Sequence, residues 1–354
     1  MTAPFRIAFL GIDNPHGAGW RQLLQNFGDE IEITAIVPGF GGATASLEER
    51  LAHVPRFETV DELIREGSYD GAVICLSNDE APTAAMKLAA AGRHILIEKP
   101  GAAHAEDVDS IALAVARSRV AFQTGYMWRY DEGANRLREM IADDRFGKLI
   151  GIEMLYVTSD VKRRDPDHYL FDREISSGGF FNWLACHYLD LLLYLTQRPV
   201  VGVTARTGVF GATKTDVEDG GTAILDLEGG TLATFVGGYW IPRWAGENHW
   251  TFRGTERWLH WDPAKPGTTG EFEIHGPKPQ WSAMDESFVM PPDDTPGYGG
   301  RRGMALVQDW LDSARGDCKP CRNTPQSMKN TLALIDAIEQ SSRDGRRVEC
   351  EIGP

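Results

Sequence analysis

The chain has 354 residues, a length that suits about two domains, with 42% hydrophobic and 25% charged residues, the balance of an ordinary globular enzyme. Its formal net charge is −15, with acidic residues spread along the chain; this excludes nucleic acid and an anionic membrane surface as expected partners, because phosphate binding needs clustered Lys and Arg. No apolar run approaches ~18 residues and no basic-then-apolar leader precedes the first apolar segment, so no membrane span is expected and the cytoplasm is the expected location.

Strand 5–10 (Phe-Arg-Ile-Ala-Phe-Leu) is followed by a loop at 11–19 and an amphipathic helix carrying Trp20, Leu23, Leu24 and Phe27. Strand 31–37, a Gly-rich loop beginning at Gly39, a helix around 46–53 and a short helix 61–66 capped by Asp61 come next. Strand 71–76, helix 81–91, strand 94–98, helix 105–118 and strand 120–124 complete an alternation that predicts a doubly wound parallel sheet with helices on both faces. After about residue 150 the pattern changes to longer alternating strands: 151–158, 200–208, 222–227, 231–237, 251–253 and 258–261, with a hairpin signal at 226–231. These predict a large, open, mostly antiparallel sheet in an α+β domain. Residues 262–300 are rich in Pro and Gly and read as a long loop; helices 304–315 and 325–343 and a final strand 347–352 close the chain. The expected domains are 1–125, dinucleotide-binding, and 126–354, for substrate binding and oligomerisation. Of the five cysteines, Cys75 and Cys186 fall in apolar segments and read as core, while Cys318-Lys-Pro-Cys321 reads as an exposed loop with no further ligands nearby for a metal.

The most informative stretch is His94-Ile-Leu-Ile-Glu-Lys-Pro100. A short buried strand ends in an acid, a base and a proline that cannot continue a central strand. Open α/β sheets bind ligands beyond the carboxyl ends of their strands, so Lys99 stands where a substrate would be. A lysine there serves as a proton shuttle when burial or a nearby positive charge lowers its pKa.

Three stretches together resemble the glucose-fructose oxidoreductase / inositol dehydrogenase (Gfo/Idh/MocA) family: Ala89–Pro100; Gly125-Tyr-Met-Trp-Arg-Tyr130 continuing to Gly147–Gly151; and Ser177-Gly-Gly179 followed by His187-Tyr-Leu-Asp-Leu191. The resemblance implies an N-terminal dinucleotide-binding domain, an open-sheet substrate domain, and hydride transfer between NAD(P) and a hydroxyl carbon of a sugar, cyclitol or similar polyol. By position it implies Lys99 as general acid–base with His187 as its helper, and Asp190, one turn on, could orient the imidazole. It implies cofactor contacts from Gly11, Ile12, Asp13, Asn14, His16, Ser77, Asn78, Glu98 and Lys99. Tyr126, Trp128, Arg129, Tyr169, Trp183 and His187 are the expected substrate contacts, with Asp165–His168 beside them. It further implies a homodimer or homotetramer.

Departures accompany the likeness. In a G-x-G-x-x-G fingerprint Gly11 fills the first place, but Asp13 and His16 fill the second and third. Strand 31–37 ends in Val37-Pro-Gly-Phe40, with neither the acid that binds a ribose nor the arginine that binds a 2′-phosphate, so NAD and NADP are not distinguished. A histidine common in the family's loop after strand 71–76 is Ala81 here, and the aspartate many members carry four residues before the histidine is Trp183. Two alternatives to a plain dehydrogenase therefore stand: a cofactor-retaining lyase, epimerase or glycosidase using transient oxidation, and a non-catalytic binding protein on the same fold.

Overall fold

A computed structural model describes residues 3–14, 16–40, 51–163, 169–211, 215–263, 270–276, 284–316 and 319–354. The expected helix around 46–53, apart from its last three positions, the segment Asp165–His168, and Cys318 lie outside the described residues. The chain forms two compact units, Met1–Tyr130 with Asp294–Lys329, and Asp131–Asp293 with Asn330–Pro354.

In the first unit the short apolar runs become strands β1 (Phe5–Leu10), β2 (Ile31–Val37), β3 (Gly71–Ile74), β4 (His94–Ile97) and β5 (Phe122–Thr124). All neighbours are parallel, in the order β2-β1-β3-β4-β5. An isolated parallel bridge joins Ile36 of β2 to Arg56. The order reverses between β1 and β3, which makes the crevice beyond their carboxyl ends the natural ligand position. Strands buried on both faces need apolar cover on both. Ile7, Phe9, Val73 and Leu96 pack with Trp20, Leu23 and Leu24 of helix α1 (Gly17–Gln25) and with Leu306, Val307, Trp310 and Leu311 of a helix at Arg301–Ala314. The other face carries helices at Ala81–Ala90 and Val108–Ser118, which bury Ala85, Leu88 and Ile111. The helix over 60–66 starts one residue earlier than expected, and Thr59, not Asp61, caps it: the Thr59 side chain accepts from the Glu62 N–H. Asp61 is spent instead on Lys87, 2.7 Å away.

The second unit is built on a nine-stranded sheet: β6 (Leu149–Ser159), β7 (Val200–Gly208), β8 (Gly220–Leu227), β9 (Thr231–Ile241), β10 (Gly246–Gly254), β11 (Trp258–Asp262), β12 (Gly270–His275), β13 (Met284–Met290) and β14 (Val348–Ile352). Its order is β13-β12-β11-β10-β6-β9-β8-β7-β14, antiparallel except for the parallel pair β6–β9. The expected hairpin is present, with Leu227 paired to Thr231 across residues 228–230. The expectation of one long loop over 262–300 is corrected: β12 and β13 lie inside it and pair with each other. Their period-2 pattern is plain in β12, where Phe272 and Ile274 are buried while Glu273 faces solvent. One face of the sheet buries Met154, Phe235, Trp250, Phe252 and Trp261, and Tyr188 of the helix Cys186–Thr196 packs on Phe235 and Trp250. Among the described residues no helix is long and apolar enough to cross a membrane.

The cap assignment has a direct check. Thr59→Ala should lower unfolding free energy by about 1 kcal/mol, while Asp61→Ala, which loses only an exposed ion pair, should stay within about 0.5 kcal/mol of wild type. Chemical denaturation of both variants reads the difference.

Candidate active site

The crevice of the first unit is set by how closely two loops approach. Gly11 follows β1 with φ +68°, and a Cβ there would lie 2.4 Å from the Cys75 carbonyl oxygen beyond β3. Only glycine satisfies both the backbone angle and the space. Asn14 ties the same loops together by donating its side-chain N–H to the Cys75 carbonyl at 2.9 Å. The loop then enters α1 at Gly17, where a Cβ would sit 2.4 Å from the Ile12 carbonyl oxygen. This glycine stands one position beyond the expected third fingerprint place, and sequence reading overlooked it. On the far side, Ser77 and Asn78 are buried at the turn into the Ala81–Ala90 helix, whose Ala81 N–H donates to the Ser77 carbonyl.

Asp13, where a second glycine would stand, directs its carboxylate beyond the end of β2. Its two oxygens accept from the backbone N–H groups of Gly39 and Phe40, each at 2.8 Å. Pro38 and Gly39 border a cleft of about 470 Å³ whose other walls include Leu76, Glu58, Asp61, Asp79, Glu80 and Lys87. A glycine-lined crossing of loops beside a cleft of this size suits a dinucleotide.

Lys99 is only 2% exposed, and Glu98 only 5%. Lys99 Nζ lies 3.7 Å from Glu98 Oε1, His16 Nδ1 lies 2.9 Å from the same oxygen, and Trp20 Nε1–H donates to Glu98 Oε2 at 2.6 Å. Burial opposes ionisation of Glu98, but the hydrogen bond from His16, the Lys99 charge and the Trp20 N–H outweigh it and hold the carboxyl below its ordinary range. Thus His16, which displaces a fingerprint glycine, and Trp20, read from sequence only as a core residue, both serve the Glu98-Lys99 turn. Tyr298 stacks on Trp20, with ring centroids 4.8 Å apart, and backs this arrangement. Gly125 closes it: a Cβ there would lie 3.0 Å from Glu98 Oε2 and 3.0 Å from the Lys99 backbone nitrogen. Tyr126, Trp128 and Arg129 follow at once and are all buried. The Arg302 guanidinium lies 4.1 Å over the Trp128 ring, Arg322 donates to the Arg129 carbonyl, and Asn323 donates to the Thr124 carbonyl at 2.8 Å. None of these three anchoring residues was visible as such from sequence spacing.

In the second unit, a π-helical turn Phe181–Ala185 runs into the helix Cys186–Thr196. Glu218 fixes its start by accepting from the N–H groups of Gly179 and Phe181 at 2.8 and 3.0 Å. A Cβ on Gly179 would fall 1.9 Å from the Glu218 carbonyl oxygen, which explains the small residue at this point of the Ser-Gly-Gly motif. Burial raises the Glu218 pKa despite these donors. His187 is buried on this helix, and Trp183 packs edge-on against Tyr169 with centroids 5.2 Å apart. Asp190 accepts from the Thr331 hydroxyl at 3.1 Å. Lys99, the Gly11–His16 loop and the Tyr126–Arg129 turn thus belong to the first unit, and Tyr169, Trp183 and His187 to the second.

Two cysteine readings are resolved. Cys75 and Cys186 are fully buried, as expected. Cys321 is buried too, which corrects the expectation of an exposed loop at that cysteine; burial and the nearby Asp309 push its thiol up to about 12. A thiol so protonated is a poor nucleophile. Among the described residues no group of three or more His, Cys, Asp or Glu side chains is placed to hold a metal ion.

Two family models match the chain. Residues 5–126 match "Oxidoreductase family, NAD-binding Rossmann fold", and residues 134–260 match "GFO/IDH/MocA C-terminal domain". An inositol 2-dehydrogenase of Rhizobium meliloti (strain 1021) is 28% identical over 180 residues, 51% of this chain and 52% of that protein. The chain therefore matches about half the length of that relative. The rhizopine catabolism protein MocA of Rhizobium meliloti is 25% identical over 323 residues, 90% of each chain. Among solved structures, a levoglucosan dehydrogenase in complex with NADH and levoglucosan has the same fold, with TM-score 0.82 at 16% identity over 99% of each chain.

The Glu98 network predicts an acid signature. A carboxyl whose folded pKa is lowered contributes stability that is complete above its unfolded pKa, about 4.3, and is lost as pH falls through the folded value. A Glu98→Gln variant should therefore lose less stability than wild type between about pH 5 and pH 3. Denaturant midpoints across that range test it; equal slopes for the two proteins would remove Glu98 from this role.

Proposed function

The chain belongs to the GFO/IDH/MocA oxidoreductase family, and on that premise we propose that it is an NAD(P)-dependent oxidoreductase acting on a hydroxyl-bearing carbon of a sugar, cyclitol or similar polyol. The observation that carries the reading is the buried Lys99 at the carboxyl end of a parallel strand, braced by a carboxylate that is itself held from two sides. A bound nicotinamide dinucleotide supplies the hydride acceptor or donor. Oxidising an alcohol carbon also requires that the hydroxyl proton leave, and this is the part the chain performs. Lys99 Nζ takes the proton in oxidation and returns it in reduction. Glu98 positions Lys99 Nζ, which lies 3.7 Å from its Oε1. His187 is assigned the role of second polar group on the substrate hydroxyls, and Trp183 with Tyr169 that of an apolar wall for a ring. The named activities of the relatives, on inositol and levoglucosan, support a compact polyhydroxylated substrate. The family reading also carries a homodimer or homotetramer, which light scattering measures.

Trp183 favours a second reading. An indole stands where a carboxylate helps many members of the family, and an enzyme that keeps its cofactor and returns the hydride to the same substrate needs less help with net proton removal. Binding of dinucleotide without net reduction on any polyol would move weight from a plain dehydrogenase to this reading.

Two measurements test the proposal. Titration with NAD(H) and NADP(H), followed by nicotinamide fluorescence, should show binding of at least one; no binding at millimolar cofactor would sink both readings. On whichever sugar or cyclitol of a panel is turned over, Lys99→Ala should keep the wild-type circular dichroism spectrum and lose about 10²–10⁴ in turnover. Near-normal turnover would take the acid–base role from Lys99.

A further inference from the structure

The aspartate expected four residues before His187 is Trp183, and the helix that carries both is not regular there. Phe181–Ala185 is a π-helical turn, and the Cys186 N–H donates to the Phe181 carbonyl, five residues back. An α-helix brings residues four apart onto one face; a π-turn holds one residue more and brings residues five apart together. Counted through this turn, the place before His187 is shared by Asn182, five residues back, and does not belong to Trp183 alone.

Asn182 is only 1% exposed, and among the described residues its Oδ1 has no hydrogen-bond partner. A buried amide oxygen without a donor is costly, so its presence calls for a group that uses it. The surroundings are shaped to hold this amide. A Cβ on Gly178 would lie 2.8 Å from Asn182 Nδ2 and 2.9 Å from its Cγ, so the first glycine of Ser177-Gly-Gly179 makes room for it. Glu218 fixes the backbone on the approach. Three consecutive N–H groups donate to this one residue: Gly179 to Oε2 at 2.8 Å, Phe180 to the carbonyl at 3.1 Å and Phe181 to Oε1 at 3.0 Å. Asp219, next in the chain, ties this clamp to the sheet: its N–H donates to the Gly208 carbonyl of β7 and its carbonyl accepts from the Tyr239 N–H of β9.

We propose that Asn182 is a substrate-binding residue: its Oδ1 accepts a hydrogen bond from a hydroxyl of the polyol, in place of the carboxylate expected at Trp183. The proposal rests on the reading that His187 and Trp183 meet the substrate. An amide supplies an acceptor without charge, so Asn182 orients a hydroxyl but takes no proton from it, which leaves proton removal to Lys99. The π-turn thereby gains a purpose: its extra residue keeps a polar group beside His187 while the indole of Trp183 packs on Tyr169.

The test pairs kinetics with stability. Asn182→Leu keeps the branched shape and removes the acceptor. On whichever sugar or cyclitol is turned over, it should lower kcat/KM about ten- to a hundredfold, chiefly through KM. Its NADH dissociation constant, read by nicotinamide fluorescence, should stay within about twofold of wild type. Its denaturant midpoint should be equal to wild type or higher, because an unpaired buried oxygen has been removed. A residue kept only for packing would show the reverse, a lower midpoint with unaltered kinetics. Asn182→Asp should hold kcat/KM within about threefold of wild type, since a carboxyl offers an acceptor whether or not it is ionised. Gly178→Ala keeps Asn182 but crowds its amide, and should show the same loss as Asn182→Leu; it decides the question where Asn182→Leu fails to fold. Kinetics within about twofold of wild type in folded Asn182→Leu or Gly178→Ala, or an Asn182→Asp protein as impaired as Asn182→Leu, would each overturn the assignment while leaving the functional reading intact. A wild-type protein that turns over no polyol would overturn that reading, and the assignment with it.

Discussion

A carboxylate taken out of water must be surrounded by donors, and Glu98 imposes that requirement on the first unit. Two elements far from it in sequence answer it, the loop before α1 through His16 and α1 itself through Trp20, while Lys99 adds charge from next door. The demand propagates outward. Trp20 can point its N–H at Glu98 because Tyr298 holds its ring plane, and residue 125 must lack a side chain because Glu98 and Lys99 already fill that space. Lys99 is thus buried among neighbours that are themselves tightly held.

Much of this was legible in the sequence, and the limits have physical causes. The five strands of the first sheet stood out because strands covered on both faces are continuous apolar runs, and Ile95-Leu96-Ile97 ends so abruptly that its last residues mark the site. β12 and β13 were not recognised because the Pro and Gly around them outweighed a brief alternation such as Phe272-Glu273-Ile274. The cap of the helix at 60–66 was misplaced because Asp61 and Thr59 have similar propensity for that role; only the geometry at Glu62 separates them. Site support was the least legible part. Asn323, Arg302 and Glu218 act on residues that are distant in sequence, and no local pattern encodes a partner 39 residues away at Glu218 or 199 residues away at Asn323.

The two departures that weakened the sequence-level likeness have different characters. At the fingerprint, Asp13 and His16 are both engaged: one with the end of β2, the other with Glu98. The motif is rebuilt there rather than eroded, since Gly11 keeps its close approach to Cys75 and a glycine recurs at 17. At Trp183, where the family resemblance leads one to expect a carboxylate, stands a buried ring packed on Tyr169. The first kind of change keeps the loop crossing with new residues; the second puts an apolar surface in place of a charge.

The first unit is discontinuous, and this shapes how the chain comes to be folded. Its parallel sheet is complete once Thr124 has been made, but one apolar face of that sheet waits for Leu306, Val307 and Trp310, which belong to Asp294–Lys329. All of Asp131–Asp293 must be synthesised first, an interval of roughly ten to thirty seconds at ~5–20 residues per second. Through that interval Phe9, Val73 and Leu96 have the cover of α1 but not that of Leu306, Val307 and Trp310. That part of the first unit's core is therefore the last to be made, so the order of synthesis along the chain and the packing of that core are linked.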